Sequence, residues 1–327
     1  MLPTLAAWLH TLDPFLIVLP GGFPIRWYGL SYLVAFFIGF LLIRRVARVG
    51  VSTLPPTRAG DFLIALAIGA VVGGRLGYVL FYRRDLITQV TDGFPWWGVL
   101  DMGQGGMASH GGMIGATLAC LIFARRHRLP SFHALDLMAF GAPLGLLCGR
   151  IANFINGELI GRRCDPDFPL AVKFPQEIRD RPELWEDMTR AYGHELPRNW
   201  LDLLQSGNEA LQQAAAAVLP ARHPSQLYAG LTEGVVVFLV LALLWVMPRR
   251  AGTIAGTFGV VYGLMRVFNE HFRLPDAHLG FQALGLTRGQ WLSLPLILLG
   301  LGILVYVHLK QLPAMGSWRR GSWTIKP

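Results

Sequence analysis

Seven long apolar runs, separated by polar links, make up most of the chain. They cover residues 28–44, 60–82, 108–124, 132–153, 225–247, 253–272 and 285–309. A helix of about 20 apolar residues spans a bilayer core of about 30 Å. The pattern therefore predicts an all-α integral membrane protein with seven transmembrane helices.

Basic residues collect in the links on one side of these predicted helices. They follow the first, third and fifth runs and recur in the C-terminal tail: Arg44, Arg45, Arg48, Arg58, Arg125, Arg126, Arg128, Arg249, Arg250, Lys310, Arg319, Arg320 and Lys326. Links rich in Lys and Arg face the cytoplasm. We therefore expect the N-terminus and the links 83–107, 154–224 and 273–284 on the outer face and the C-terminus inside.

The composition supports a membrane protein and excludes other classes. The 327 residues are 53% hydrophobic and 15% charged, whereas about 25% of residues are charged in soluble proteins. Thirteen of the 29 Lys and Arg residues are the link and tail residues above, so the net charge of +9 indicates topology and not nucleic-acid binding. Cys120, Cys148 and Cys164 lack CxxC or metal-ligand spacing. We expect neither a disulfide framework nor a zinc site.

Two further patterns concern packing and the outer links. Glycines recur every four residues in several runs, as in Gly69, Gly73 and Gly77, and this spacing lets membrane helices approach closely. The segment 164–222 is richer in charge and has amphipathic helical patterns. We expect it to form a small helical cap outside the membrane, inserted between the fourth and fifth transmembrane helices of a single polytopic domain, 1–327.

Polar residues that interrupt the apolar runs fall toward the predicted outer ends of the helices. The fourth run ends in GRIANFINGELIGR, residues 149–162, where Arg150 and Asn153 share a helix face. The other interruptions are Arg26, Tyr28, Arg75, Tyr78, Ser109, His110, the HPSQLY segment 223–228, Tyr262, Arg266 and Glu270. An ionisable residue inside a membrane is costly unless it has a partner or a function. The pattern therefore predicts a polar, cationic cavity in the outer leaflet.

Members of this predicted cavity also have simpler interpretations. Arg26 and Arg75 lie near the membrane boundary, where arginine side chains reach the headgroups without any ligand. Arg266 and Glu270 form an i,i+4 pair that is compatible with a structural role. Guanidinium groups match phosphate oxygens, so Arg150 and Arg266 favour binding of a phospholipid headgroup. Both a lipid-processing enzyme and a lipid transporter are compatible with such a site.

Five blocks of sequence resemble the prolipoprotein diacylglyceryl transferase family. They are IRWYGLSYL, SHGGMIG, GRIANFINGELIGR, HPSQLY and YGLMRVFNEHFRLPD, in the family's order. The resemblance covers the chain apart from the cap, and the family's seven spans with an external active site agree with the topology above. It implies transfer of an sn-1,2-diacylglyceryl group from phosphatidylglycerol to the lipobox cysteine of a prolipoprotein signal peptide, with release of glycerol phosphate. It also implies a protein of the bacterial inner membrane whose active site faces the periplasm and which needs no metal or cofactor.

The resemblance further implies roles for matched residues. Arg150 and Arg266 are expected to hold the lipid phosphate and to stabilise the charge that builds on it. The other expected headgroup contacts are Asn153, Glu158, Gly161 and Glu270. His110 is the candidate base that deprotonates the thiol, with Glu158, Glu270 or the arginine field as alternatives. Tyr28 and Tyr262 are expected to order the lipid or the peptide.

The chain departs from the family pattern directly after HPSQLY, where glutamate is common and Ala229 stands here. The resemblance therefore gives no support for a carboxylate role at this position, although Glu233 lies one turn further along the same predicted helix. The alternative functions are a phospholipid transporter or flippase and a membrane scaffold. A transporter is expected to carry polar residues through both halves of the membrane, and a scaffold does not explain Arg150 or Arg266.

Overall fold

The computed structural model describes residues 7–20, 22–90, 92–101, 105–275 and 282–322. Its α-helices are α1 (Trp27–Val49), α2 (Ala59–Phe81), α3 (Ser109–Arg126), α4 (Ser131–Asn156), α5 (Pro182–Tyr192), α6 (Trp200–Gln205), α7 (Glu209–Val218), α8 (Ser225–Ala229), α9 (Val237–Leu244), α10 (Thr253–Asn269) and α11 (Arg288–Leu309). Its short strands are β1 (Trp8–Leu9), β2 (Phe15–Leu19), β3 (Phe23–Arg26), β4 (Val172–Lys173), β5 (Arg249–Arg250) and β6 (Ala314–Met315). Parts of the predicted links 83–107 and 273–284 and of the C-terminal tail lie outside the described residues.

Each predicted apolar run coincides with a helical segment. The run 225–247 contains α8, α9 and the π-helical segment Gly230–Val236 between them. Within the described residues, five helical segments are long and apolar enough to cross a membrane: Trp27–Val49, Pro56–Phe81, Ser131–Asn156, Ser225–Leu244 and Arg288–Leu309. The helices α3, with 18 residues, and α10, with 17 residues, fall outside this set. A mainly helical membrane protein agrees with the prediction, and seven transmembrane helices remain a prediction.

The described chain forms two compact units. The first comprises the described residues of Met1–Ala35, Pro143–Leu239 and Gly259–Leu298, and the second those of Phe36–Ala142, Val240–Phe258 and Leu299–Pro327. The first unit contains Arg150, Arg266 and the 164–222 segment, whereas the second contains α2 and α3. The single domain with an inserted cap remains a prediction.

In the second unit, glycine faces bring α2 and α3 together. A Cβ at Gly73 would lie 2.7 Å from the Cα of Gly115, and a Cβ at Gly77 would lie 2.9 Å from the Cα of Gly111. Any side chain at these positions would therefore force the two backbones apart. The predicted packing role of the repeat Gly69, Gly73 and Gly77 is confirmed.

Arg75, also in the second unit, binds the chain that leads to α3. Its guanidinium donates hydrogen bonds of 2.6 to 3.1 Å to the carbonyls of Gly98, Val99, Asp101, Gly105 and Gly106. The residue is only 6% exposed. Five bonds match the five N–H donors of an arginine. Arg75 therefore fixes this connection, which differs from the sequence-based alternative of a side chain that reaches the lipid headgroups.

In the first unit, the predicted cap segment contains α5, α6 and α7. Their shared apolar core includes Leu184, Met188, Trp200, Leu204 and Leu211. Both carboxylate oxygens of the buried Glu177 accept hydrogen bonds from the buried Arg222. Arg222 Nη1 also donates to the carbonyl of Gly161 at 3.0 Å. The hydrogen bond from Arg222 to Gly161 thus ties the segment 164–222 to the end of the GRIANFINGELIGR stretch, and Glu177 holds Arg222 in place.

Candidate functional site

A buried carboxylate joins the two arginines that the sequence singles out. Glu233 Oε2 accepts a hydrogen bond from Arg150 Nη2 at 2.9 Å, and Glu233 Oε1 lies 3.5 Å from Arg266 Nη1. Arg266 Nη2 lies 2.5 Å from Glu270 Oε1. The Glu233 side chain is 0% exposed, whereas each arginine side chain is 15% exposed. Arg150 and Arg266 are therefore brought together around one shared carboxylate.

Asn269 adds a neutral donor to this cluster. Its Nδ2 donates to Glu233 Oε1 at 3.1 Å and to Thr232 Oγ1 at 2.5 Å. A carboxylate without solvent needs several donors, because burial of an unpaired charge is costly. Glu233 meets this requirement through two guanidinium groups and one amide.

Local helix geometry explains how Glu233 reaches Arg150. The segment Gly230–Val236 is π-helical, which adds one residue to the turn and changes the direction of the side chains. A Cβ at Gly234 would lie 2.8 Å from the Cβ of Leu147 on α4. Glycine therefore permits a close approach to α4, and this approach brings Glu233 beside Arg150.

The HPSQLY segment holds the loop that follows α4. Ser225 Oγ donates to the carbonyl of Leu159 at 2.9 Å, and Gln226 Nε2 donates to the carbonyl of Glu158 at 2.7 Å. Leu159 has a φ of 59°, which is uncommon for a residue with a side chain. The two side-chain donors therefore fix the loop in a conformation that the chain does not readily adopt on its own.

Gly161 lies where three backbone segments meet. A Cβ at this position would lie 2.9 Å from the carbonyl carbon of His223 and 3.0 Å from the oxygen of Phe272. Its own carbonyl accepts a hydrogen bond from Arg222. Gly161 is thus required for chain packing next to the loop, and its predicted contact with a headgroup stays a prediction.

Other residues predicted for the site lie close to Arg150. Asn153 Nδ2 donates to Tyr28 Oη at 3.0 Å and to Glu158 Oε1 at 3.2 Å. Tyr28 and Tyr262 are both near enough to Arg150 to interact with it electrostatically. The structure therefore groups these four residues with the arginine cluster in the first unit.

A pocket lies against this cluster. Its lining includes Arg150, Arg266, Arg273, Gln226, Asn269 and Ala229. The lining holds three arginines, and the carboxylates paired with them are those of Glu233 and Glu270, so positive charge predominates. Ala229 contributes only a methyl group at the position where the resembling family commonly has glutamate. The pocket therefore has the charge expected of a site for an anionic group.

Three buried polar atoms of the pocket residues have no hydrogen-bond partner within the described part of the chain. They are Arg150 Nε, Gln226 Oε1 and Asn269 Oδ1. Buried polar atoms are nearly always paired. The residues that line the pocket thus contain one unused donor and two unused acceptors.

His110 and Arg26 do not belong to the cluster of contacts described above. His110 is the second residue of α3, is exposed and belongs to the second unit, so its role as base remains a prediction. The exposed guanidinium of Arg26 lies 5.1 Å from the ring centroid of Phe15, a cation–π contact. Among the described residues, no group of His, Cys, Asp and Glu side chains is arranged to hold a metal ion.

Gln226 belongs to the HPSQLY segment of the predicted cavity, whereas the sequence pattern assigns neither Glu233 nor Asn269 to the site. Each is a polar residue inside a predicted apolar run, at residues 225–247 or 253–272. The rule that identified Arg150, by which intramembrane polar residues need a partner or a function, applies to them equally. The signal was therefore present, but the partners of these residues are distant in sequence.

The apolar helices and the arginine-lined pocket define a helical membrane protein with a cationic, partly buried site. The sequence profile of the prolipoprotein diacylglyceryl transferase family matches residues 14–306. The chain is 44% identical to the phosphatidylglycerol–prolipoprotein diacylglyceryl transferase of Bdellovibrio bacteriovorus, over 96% of this chain and 97% of that protein. It is 40% identical to the enzyme of the same name from Burkholderia cenocepacia (91% and 96%) and to that from Neisseria gonorrhoeae (89% and 94%). The chain belongs to the prolipoprotein diacylglyceryl transferase family, and the transporter alternative is not favoured.

Proposed function

We propose that this protein transfers the sn-1,2-diacylglyceryl group of phosphatidylglycerol to the lipobox cysteine of prolipoproteins, the first step of bacterial lipoprotein maturation. The thiolate sulfur forms a bond to the sn-3 carbon of the diacylglyceryl group, and the bond from that carbon to the phosphate oxygen breaks. The oxygen keeps the electron pair and leaves as glycerol phosphate, while the thiol proton passes to a base. Membership of the family and the names of the relatives support this reaction.

The observation that carries the proposal is the pairing of Arg150 and Arg266 around Glu233 at the pocket. Guanidinium groups stay charged in apolar surroundings and match phosphate oxygens. In the proposed complex, both arginines bind the lipid phosphate. Fixed positive charge of this kind stabilises the negative charge that develops on the departing phosphate.

The remaining site residues are assigned as supporting groups. Tyr28 and Tyr262, which lie near Arg150, order the lipid or the incoming peptide in this proposal. Headgroup contacts come from Asn153, Glu158, Gly161 and Glu270. His110 takes the thiol proton as the general base.

We place the protein in the bacterial inner membrane with seven transmembrane helices and the site toward the periplasm. Five helical segments are long and apolar enough to span a bilayer. The Arg-rich links after the first, third and fifth apolar runs support a cytoplasmic location for those links. Labelling of single cysteines in the segment 164–222 tests this orientation, and labelling only from the cytoplasmic side would refute it.

The activity itself is tested with purified protein, phosphatidylglycerol and a synthetic lipobox peptide. We expect mass spectrometry to show the mass of a diacylglyceryl group on the cysteine of the peptide. An unmodified peptide after incubation with folded protein would overturn the proposed function.

The arginine roles are tested by Arg150→Ala and Arg266→Ala. Each change removes one phosphate-binding group, so we expect transfer to become undetectable while membrane insertion is retained. The matched control is Arg190→Ala, because the side chain of Arg190 is 76% exposed and pairs with Asp187 on the same helix, α5. Full activity in either pocket variant would remove that arginine from the mechanism.

The base is tested by His110→Gln. We expect most activity to be lost at neutral pH and to recover at high pH, where the thiol ionises without help. A loss that does not depend on pH would argue against proton transfer by His110.

A further inference from the structure

Two buried amide oxygens of the pocket residues lack a partner in the described part of the chain. They are Gln226 Oε1 and Asn269 Oδ1. Each residue is only 2% exposed, and both line the pocket. A buried acceptor that is left unpaired is costly. These two atoms are therefore available to a ligand that supplies hydrogen-bond donors.

The orientation of both amides follows from their other contacts. Gln226 Nε2 donates to the carbonyl of Glu158 at 2.7 Å, and Asn269 Nδ2 donates to the carboxylate of Glu233 at 3.1 Å. A carbonyl and a carboxylate only accept hydrogen bonds. If either amide were flipped, oxygen would face oxygen. The groups left without a partner are therefore acceptors in both residues.

The rest of the lining restricts the ligand further. Arg150 Nε is a buried donor without a partner in the described chain, and Arg266 and Arg273 also line the pocket. These groups favour an anionic oxygen and disfavour an ammonium group. A ligand that pairs with all of them combines a phosphate with hydroxyl groups. A polyol phosphate has this chemistry.

We propose that Gln226 and Asn269 determine specificity by accepting hydrogen bonds from the hydroxyl groups of the headgroup glycerol. This assignment rests on the proposed function, in which phosphatidylglycerol is the lipid donor. The accessible volume of the pocket is about 10 Å³ in this structure, so the pocket opens to admit the headgroup. The phosphate then lies against the arginines, and the glycerol hydroxyls satisfy the two amide oxygens. The pocket then discriminates against anionic phospholipids whose headgroup lacks hydroxyl groups, because those lipids leave both acceptors unpaired.

The test compares transfer from phosphatidylglycerol with transfer from phosphatidylpropanol, which has the same charge but lacks the headgroup hydroxyls. We expect kcat/KM of the unaltered protein to favour phosphatidylglycerol by roughly tenfold or more, as sites that hydrogen-bond a substrate hydroxyl do. Gln226→Met and Asn269→Leu remove one acceptor each. We expect both variants to lower the ratio of the two kcat/KM values by at least about threefold, whatever their effect on the absolute rates.

Gln176→Met is the matched control for Gln226→Met. Gln176 Oε1 is also buried and without a partner in the described chain, but Gln176 does not line the pocket. If unpaired amide oxygens affected catalysis only through stability, Gln176→Met would change the lipid ratio as well. We expect the ratio of this variant to equal that of the unaltered protein.

The outcomes separate this inference from the proposed function. If the unaltered protein transfers from neither lipid, the proposed function fails. If it uses both lipids equally, or if both pocket variants keep the original ratio, the specificity role is overturned.

A second measurement covers the case in which the variants are inactive with both lipids. Inhibition of the unaltered protein by sn-glycerol 1-phosphate is compared with inhibition by propyl phosphate. We expect the glycerol compound to bind about tenfold more tightly, as expected for paired hydroxyl groups. Equal inhibition constants would overturn the inference without any substitution.

Discussion

Glu233→Gln removes the negative charge between the two arginines and nearly preserves the shape of the side chain. In the unaltered protein, the carboxylate contacts Arg150 at 2.9 Å, Asn269 at 3.1 Å and Arg266 at 3.5 Å. Glutamine keeps one acceptor oxygen, but its NH₂ group must face a donor. Two partly buried guanidinium groups then lose their shared counter-charge, so the free energy of unfolding should fall.

The structure sets the size of this effect. Breaking a buried ion pair by removal of one partner costs about 3–5 kcal/mol, and a hydrogen bond to a charged group contributes about 1.5–3 kcal/mol. Each arginine side chain is 15% exposed, so water replaces part of the lost interaction. Because glutamine also keeps one acceptor, we expect the free energy of unfolding to decrease by about 2–3 kcal/mol, at or below the lower end of the buried-pair range.

The informative assay is unfolding in detergent with and without sn-glycerol 1-phosphate. In the unaltered protein the anion competes with Glu233 for the arginines, whereas in the variant it supplies the missing negative charge. We therefore expect the variant to be less stable alone but to bind the anion roughly tenfold more tightly. At saturating anion this difference adds about 1.4 kcal/mol to the stabilisation by ligand.

Asp136→Asn is the control for this experiment. Asp136 is another buried carboxylate, but it accepts hydrogen bonds from the backbone N–H groups of Gly252 at 2.7 Å and Ala255 at 2.8 Å. Its loss should lower stability without any gain in stabilisation by the anion. A Glu233→Gln variant that is as stable as the unaltered protein, or that responds no more strongly to sn-glycerol 1-phosphate, would refute the role of Glu233 as the shared counter-charge.

Two further predictions concern a glycine of α11 and a buried histidine. A Cβ at Gly289 would overlap Glu270 Oε1, so Gly289→Ala should displace Glu270 and lower initial rates of transfer by roughly tenfold or more. The control is Gly302→Ala on the same helix, where no atom lies within 4 Å of the added Cβ, and this variant should retain activity. Equal rates in both variants would show that the overlap with Glu270 does not affect transfer. Burial lowers the pKa of His10 from 6.5, so the unfolded chain binds the proton more readily and stability should fall as pH drops below about 6.5. Unfolding of the unaltered protein and of His10→Gln between pH 7.5 and 5 tests this, since an identical pH dependence would exclude His10 as a cause.

The positions of the apolar helices could be predicted because each run must by itself be long enough to span the bilayer core. The run 28–44 lies within α1, which continues to Val49 through three arginines. A prediction from apolar residues alone ends the run at Arg44, the first of these charges. The helix continues beyond it because each backbone group needs a hydrogen bond, and because the long arginine side chains can reach water. Termini of helices therefore depend on more than apolar character.

The contacts within the site could be predicted only in part, since they join distant segments. The sequence next to Arg150 is enough to mark it as a site residue, but its ion pair with Glu233 spans 83 residues. A single sequence gives no register between the two helices. Arg75 illustrates the same limit, because a cation near the membrane boundary has several possible partners and only the fold shows five backbone carbonyls around it.

The HPSQLY segment links the shape of the loop after α4 to recognition of the ligand. Leu159 has a φ of 59°, a conformation that costs a residue with a side chain about 1–2 kcal/mol. The hydrogen bonds from Ser225 and Gln226 to the loop carbonyls offset this cost. The bond that Gln226 makes to the loop also leaves its oxygen as the free acceptor at the pocket. A change that releases the loop therefore also releases this acceptor, so we expect such variants to lose discrimination between lipid headgroups together with order in the loop.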